Sequence, residues 1–493
     1  MSDIGLDQAR AKMAAASVHP IAIHVFERLY RLLEQDSDGF IHEADIDPLT
    51  DVTTLGDLRS VDSEASELMD GPADPTNISV VSARAHTPAL AKTALVKLNG
   101  GLGTSMGMTQ AKSLLPVHQG LSFLDVIAGQ VRWARKRYDV QLPIVFMNSF
   151  RTEQDTLDAL AKYPDLAVDG IALSMLQNQE PKLRADDLTP VSWPADPELE
   201  WCPPGHGDVY TVLQTSGTLE ALRAAGIEYL NISNADNLGG SPSPEIAQWF
   251  ADSGASFAAE VVERTEADRK GGAQVVRDGQ IILRETAQIA PEDEAAAADI
   301  SKHRFFNANN LWIRIEALRE LIAKNDGVVA LPLIKNHKTV DPSDKASTPV
   351  VQIECAMGAA IELFPDAVAL HIDRSRFLPV KTTNDLLLMR SDIYALTHSF
   401  NLVAQATEPL ITLDPKHYAF IADFDERFPQ GPPSLLGARS LTVTGDWIFG
   451  ADTTARGEAV LRRGRHDATD GQSQVIAAGA IITNEGIVNV DHA

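Results

Sequence analysis

At 493 residues the chain is longer than one hydrophobic core usually serves, which predicts two or three domains, and its 44% hydrophobic and 22% charged residues exclude wholesale disorder. Its 68 acidic against 42 basic residues give a formal net charge of −26, which excludes broad contact with a phosphate polymer. No nucleic-acid partner is therefore expected, and any phosphate ligand must be small and locally neutralised.

The first residues, MSDIGLDQARAKMAAASVHP, lack the apolar core of a signal peptide, and no later stretch reaches the length of a membrane span. A cytoplasmic protein without a membrane partner is the expectation. Cys202 and Cys355 lie far apart and read as reduced thiols. Ile21, Val25, Leu29 and Leu32 or Leu33 recur at three- and four-residue intervals, predicting an amphipathic helix that Pro20 opens. The run Glu34-Gln35-Asp36-Ser37-Asp38-Gly39 imitates a calcium loop, but the closing position falls on Asp45, whose short side chain suits bidentate binding poorly. An acidic surface turn is the preferred reading. Residues 51–87, rich in Asp, Ser, Pro and Thr, read as a connection.

Apolar runs at 94–98, 143–147, 229–233 and 257–262 alternate with helical patterns at 124–135 and 212–225. That alternation predicts an α/β fold whose mainly parallel sheet is covered on both faces, with ligands at the carboxyl ends of its strands. Beyond about residue 430, Val443, Phe449, Ala455 and Leu461 recur every six residues with Gly445, Gly450 and Gly457 between them, which suggests coils of a β-helix; a small irregular β-domain is the alternative.

The segment LNGGLGTSMG from Leu98, followed by Lys112, can bring bare main-chain amides and an ammonium group to a polyanion. It matches no common phosphate motif: Met106 stands where a dinucleotide fold needs its third glycine, and Ala111 where a P-loop needs glycine. Gly103-Thr104-Ser105-Met106-Gly107 also fits a serine-hydrolase elbow at Ser105. Residues 99–102 separate it from its strand, so that reading is weaker. WCPPGHGD places His206 in a stiff turn, and NISNADN ends a strand in Asp236, an oxygen donor of the kind Mg²⁺ prefers. FFNANNLW sets amides beside aromatics, and Lys381 is a lone cation among polar residues. Each has a plain alternative: a rigid turn, a capping carboxylate, a polar turn, a solvated lysine.

Taken in order, VKLNGGLGTSMG with Lys112, FMNSFRTEQDT, WCPPGHGDVY, NISNADNLG, FNANNLW, FLPVKTTNDLLL and SLTVTGDWIFG resemble the UTP:glucose-1-phosphate uridylyltransferase (UDP-glucose pyrophosphorylase) family, longer type. The resemblance implies a Rossmann-like nucleotidyltransferase domain at 91–390, an N-terminal helical unit with its linker at 1–90, and a β-helix-like domain at 391–493. It implies UTP and glucose 1-phosphate as substrates, Mg²⁺ as cofactor, and homo-oligomers through the C-terminal domain in some members. Carried over by position, Leu98, Asn99, Gly100, Gly101, Met147, Gln177 and Gly205 would hold the nucleotide. His206 would join the sugar-phosphate contacts, Asn234 and Asn309 would face the hexose, Asp236 would hold the metal, and Lys112 and Lys381 would be the catalytic cations. Gln110-Ala111 replaces the Gly-Pro that the family commonly has before the lysine. Alternatives within the superfamily are a UDP-N-acetylhexosamine or a broad UDP-sugar pyrophosphorylase; outside it, a serine hydrolase at Ser105 or a non-catalytic UDP-sugar sensor.

Overall fold

The computed structural model describes residues 4–35, 39–54, 66–69, 71–80, 87–265, 268–269, 271–462 and 473–488. Two helices lead the chain, α1 (Ile4–Ala15) and α2 (Pro20–Glu34). Pro20 opens α2, and the His19 side chain caps it by accepting from Ile21 N at 3.2 Å. The buried face of α2 is Ala22, Phe26, Leu29, Tyr30 and Leu33, one position round from the stripe expected at Ile21 and Val25. Both stripes are apolar, and the surface that receives the helix decides between them: Leu183, Leu333, Val351 and Ile353 share its cluster. Asp36, Ser37 and Asp38 of the acidic turn lie outside the described residues.

Glu43 fastens the segment after this turn. It takes Arg284 Nη1 at 2.5 Å, Lys302 Nζ at 2.6 Å and His303 Nε2 at 2.8 Å. Burial alone would raise its pKa, but hydrogen bonds from Lys302, His303 and Arg284 outweigh burial and hold it down at about 2. Because the folded-state value is depressed, this stabilisation is complete above the unfolded value near 4.5 and is lost as pH falls toward about 2. The melting temperature of Glu43→Gln should therefore lie below wild type at neutral pH, with the gap closing through that acid window. A gap that is independent of pH would contradict the assignment.

The main run of an 11-stranded central sheet comprises β1 (Thr93–Asn99), β2 (Ile144–Asn148), β3 (Ser174–Leu176), β4 (Tyr229–Asn234), β5 (Phe257–Glu263), β6 (Phe305–Arg314) and β7 (Val368–His371), and the hairpin Ala273–Arg277 and Gln280–Arg284 branches from β6. Their order is β7-β5-β6-β4-β1-β2-β3, and the short strand Thr53–Thr54 extends the β7 edge. Only β6 runs against both neighbours; β7 with β5 and the run from β4 through β1 and β2 to β3 are parallel. Alternation along β1 sorts the two faces. Ala94, Val96 and Leu98 join Val145 and Met147 in one apolar cluster, whereas Leu95 joins Ile144 and Phe146 in the other. At about 1.5–3 kcal/mol for each fully buried large apolar side chain, these two layers dominate the stability of the site's scaffold.

Helix α3 (Phe123–Tyr138) covers the Leu95 face through Phe123, Leu124, Ile127 and Val131. A reciprocal cap starts it, with Asp125 N donating to Ser122 Oγ at 3.2 Å and Ser122 N to Asp125 Oδ2 at 3.0 Å. On the opposite face the single helix expected over 212–225 is two, α4 (Val209–Thr215) and α5 (Thr218–Ala224). Gly217 between them adopts φ +75°, a left-handed conformation that ends the first helix.

In the tail, β8 (Leu410–Leu413), β9 (Ser434–Thr444), β10 (Thr454–Arg462) and β11 (Ile481–Thr483) lie parallel in sequence order. Val443, Phe449, Ala455 and Leu461, the six-residue series, are all buried, and they run into the cluster that includes α3.

Candidate active site

The sheet is open at the carboxyl ends of β1 and β4. Asn99, the last residue of β1, is buried: its Nδ2 donates to Asn148 Oδ1 and Thr156 Oγ1, each at 2.8 Å, while its carbonyl accepts from Thr152 Oγ1 at 2.8 Å. The Asn99 side chain thus anchors the loop that follows it. A Cβ on Gly100 would stand 2.7 Å from Gln177 Oε1, whereas Gly101 faces open space. The chain then turns through Thr104–Met106 and returns, Lys112 N donating to Gly101 O at 3.0 Å. Ser105 is exposed in that short turn, away from the strand end where an elbow serine would stand.

This return aims Lys112 across the strand ends. Its Nζ lies 2.6 Å from Asp236 Oδ2 and also donates to Val380 O. Asp236 lies two residues beyond the end of β4, whose last residue, Asn234, pairs with Leu98. Val380 N donates to Asp236 O at 3.3 Å, which brings the next residue, Lys381, to the same rim. A cavity of about 200 Å³ is lined by Asn234, Asp236, Glu285, Phe306, Asn309 and Lys381 among others. Lys381 is exposed, with Nζ 5.7 Å from the centre of the Phe306 ring. Asn309, inside β6, has φ +53°, and its Oδ1 accepts from Asn307 Nδ2 at 2.9 Å.

Glu285 is the residue the sequence reading missed. Burial raises its pKa and the Lys381 charge opposes that rise, so a carboxyl and an ammonium face each other across the cavity. It follows the hairpin strand Gln280–Arg284 and caps the short turn Thr286–Gln288, a local role, so only its place beside Lys381 marks it for the site.

A second group surrounds Gly205. Gln177 Nε2 donates to Gly205 O at 2.8 Å, which ties this group to Gly100. Met357 N donates to His206 Nδ1 at 3.0 Å, so that nitrogen keeps its lone pair and the neutral ring carries its proton on Nε2. Burial pushes the imidazole down to about 4, leaving His206 at neutral pH a hydrogen-bond donor rather than a cation. Met147 and Leu98 have their side chains in the apolar cluster beneath. Gln177, Gly205 and His206 do not line the cavity that Asp236 and Lys381 share.

Gly205 has φ +81°, and a Cβ there would stand 2.6 Å from Cys355 O, an atom that already accepts from Gly207 N at 2.9 Å. Gly205→Ala is therefore expected to cost about 2–4 kcal/mol. Thermal unfolding and the KM for UTP check this; an unchanged melting temperature would contradict it.

Residues 50–456 match the family model described as UTP–glucose-1-phosphate uridylyltransferase. The chain belongs to that family. It is 39% identical over 400 residues to the UTP–glucose-1-phosphate uridylyltransferase of Saccharomyces cerevisiae, covering 80% of this chain and 78% of that one. With the Solanum tuberosum protein of the same name it shares 37% over 404 residues, 81% of each chain. Among solved structures, a Trypanosoma brucei UDP-glucose phosphorylase superposes with TM-score 0.85 at 38% identity, over 99% of this chain and 100% of that one. A variant of Leishmania major UDP-glucose pyrophosphorylase in complex with UDP-glucose gives TM-score 0.85 at 36% identity, over 97% and 98%. A mixed α/β fold built on a large, mainly parallel sheet is thus common to this chain and these relatives.

Proposed function

We propose that the chain joins UTP to glucose 1-phosphate, producing UDP-glucose and pyrophosphate. The observation that carries this reading is the gathering of Lys112, Asp236 and Lys381 at one sheet rim beside the glycine-rich loop. The nucleophile is a sugar-phosphate oxygen, already ionised at neutral pH, so no side-chain base and no covalent enzyme intermediate is required. That oxygen forms a bond to the UTP α-phosphorus in line with the breaking bond to the bridging oxygen, and pyrophosphate leaves. Lys112 neutralises the triphosphate, Lys381 receives the sugar phosphate, His206 offers Nε2–H, and Asn234, Asn309 and Glu285 hold hexose hydroxyls. Catalysis is then positioning plus charge neutralisation.

Asp236 supplies a hard oxygen donor, and among the described residues no group of three or more His, Cys, Asp or Glu could hold a metal. That donor set fits Mg²⁺, which commonly binds through one or two carboxylates plus substrate phosphates rather than in an all-protein cage. Bound there, the ion would offset phosphate charge during transfer.

Among the described residues no helix is long and apolar enough to cross a membrane, and with both cysteines free and buried we infer a cytoplasmic site of action. We keep the three-part division at 1–90, 91–390 and 391–493, with a Rossmann-like middle part. The helical pair α1 and α2 at the start of the chain supports the first part, although its apolar face packs on Leu183, Leu333, Val351 and Ile353 of the middle part, and the parallel strands β8 to β11 support a β-helix-like tail. Leu410 and Leu436, exposed on tail strands, support an association surface between copies.

The test mixes the protein with Mg²⁺, UTP and glucose 1-phosphate and measures pyrophosphate, with N-acetylglucosamine 1-phosphate, galactose 1-phosphate and TTP as comparators. Glucose 1-phosphate with UTP should be the fastest pair. Binding of UTP with no pyrophosphate from any pair would leave a non-catalytic sensor instead.

A further inference from the structure

Beneath the loop that carries Lys381 lies an ion pair that lines no part of its cavity. Glu260, on β5, is fully buried, and each of its carboxylate oxygens accepts two hydrogen bonds. Oε2 takes Arg376 Nε and Asn310 Nδ2, both at 2.9 Å; Oε1 takes Arg376 Nη2 at 3.0 Å and Trp312 Nε1 at 2.9 Å. Arg376, 11% exposed in its side chain, also donates Nη1 to Ser241 O at 3.2 Å.

From Arg376 the main chain is tied down step by step toward Lys381. Arg376 O accepts from Asn237 Nδ2 at 3.1 Å and Asn310 Nδ2 at 3.3 Å. Leu378 N donates to Asn237 Oδ1 at 2.8 Å, Val380 N to Asp236 O at 3.3 Å, and Val380 O accepts from Lys112 Nζ. Gly239 lets the chain after β4 pass close, since a Cβ there would stand 2.4 Å from the Arg376 carbonyl carbon. Neither Glu260 nor Arg376 carries a sequence signature, and they meet only through the pairing of β5 with β6 and the return of the chain after β7.

A buried ion pair is often no more stabilising than apolar side chains of similar volume, because desolvation offsets the attraction. What the guanidinium fork supplies beyond stability is direction: two parallel hydrogen bonds fix distance and plane together. We propose that Glu260 and Arg376 are positioning residues for Lys381, holding the 376–380 strap in the register that sets the Lys381 ammonium over the substrate cavity. The proposal rests on the uridylyltransferase reading of that cavity.

The test is a double-mutant cycle between Arg376→Lys, which keeps the charge and loses the fork, and Lys381→Ala. In the wild-type background Arg376→Lys should lower kcat on the order of tenfold, with the KM for UTP within about twofold, a part of the roughly 10²-fold that misplacing a reacting group by about an ångström can cost. Arg376→Lys should lower the melting temperature in both backgrounds, whereas in the Lys381→Ala background its fold-loss of residual kcat should be much smaller than in wild type. An equal fold-loss of kcat in both backgrounds would overturn the proposal, because a general loss of structure does not depend on Lys381. Glu260→Gln, which removes the charge and keeps an acceptor, is run through the same cycle. Failure of both variants to fold would also overturn it, assigning the pair to the fold alone. Wild-type protein that releases no pyrophosphate would instead signal failure of the underlying reading, and the proposal would fall with it.

Discussion

Lys381→Ala is expected to lower the rate of pyrophosphate release from UTP and glucose 1-phosphate by about 10²-fold or more, as loss of a preorganised charge partner does. The melting temperature should hardly move. Lys381 is exposed, and its ammonium rests over the Phe306 ring at 5.7 Å, a contact worth about 0.5–1 kcal/mol at an exposed site. Its main-chain N–H donates to Asp385 Oδ2 at 2.8 Å, and alanine keeps that bond, so the strap and the helix cap that follow stay in place. A large kinetic loss without a thermal one identifies a group whose use lies in the reaction rather than in the fold. Glu285 across the cavity responds as well, since without the Lys381 charge less opposes burial and its carboxyl shifts further toward the neutral form. Turnover within a few-fold of wild type would remove Lys381 from the mechanism.

The strands that build this rim were legible in the residues for a physical reason. Parallel strands covered on both faces are apolar along their whole length, so 94–98, 143–147, 229–233 and 257–262 fall within a residue or two of Thr93–Asn99, Ile144–Asn148, Tyr229–Asn234 and Phe257–Glu263. The ten-residue strand Phe305–Arg314 is not legible as one, because Asn307, Asn309 and Asn310 break its apolar run. Those amides sit in a strand because the tertiary structure answers them: Asn310 Nδ2 bonds Glu260, and Asn307 and Asn309 bond each other. The break at Gly217 was hidden as well, since a helical pattern continues through it and only the left-handed backbone ends the helix. The glycine-rich loop and Asp236 stand out as local patterns and Lys381 only through the family resemblance, and the structure brings the three to one rim. Glu285, Glu260 and Arg376 have no local pattern, and become visible only when β5, β6 and the strap after β7 converge.

Asp236 allows two roles to be separated. Its carboxylate is the partner of Lys112 at 2.6 Å and, in the proposed mechanism, the protein's donor to Mg²⁺. Asp236→Ala removes both, and a fall in turnover of about 10²-fold or more is expected. Asp236→Asn divides them. The amide oxygen occupies the place of a carboxylate oxygen and can still accept from Lys112 Nζ, so the cation and the loop from Gly101 keep their geometry, while the negative charge is gone. If the charge serves the metal, Asp236→Asn should be nearly as slow as Asp236→Ala, and titration of Mg²⁺ against pyrophosphate release should saturate at a higher concentration than in wild type. If the residue served only to hold Lys112, the asparagine variant would work at close to the wild-type rate with an unchanged Mg²⁺ requirement. The geometry favours the first outcome, because Lys112 has a second anchor in Val380 O that survives either substitution and therefore does not depend on Asp236 alone for its position.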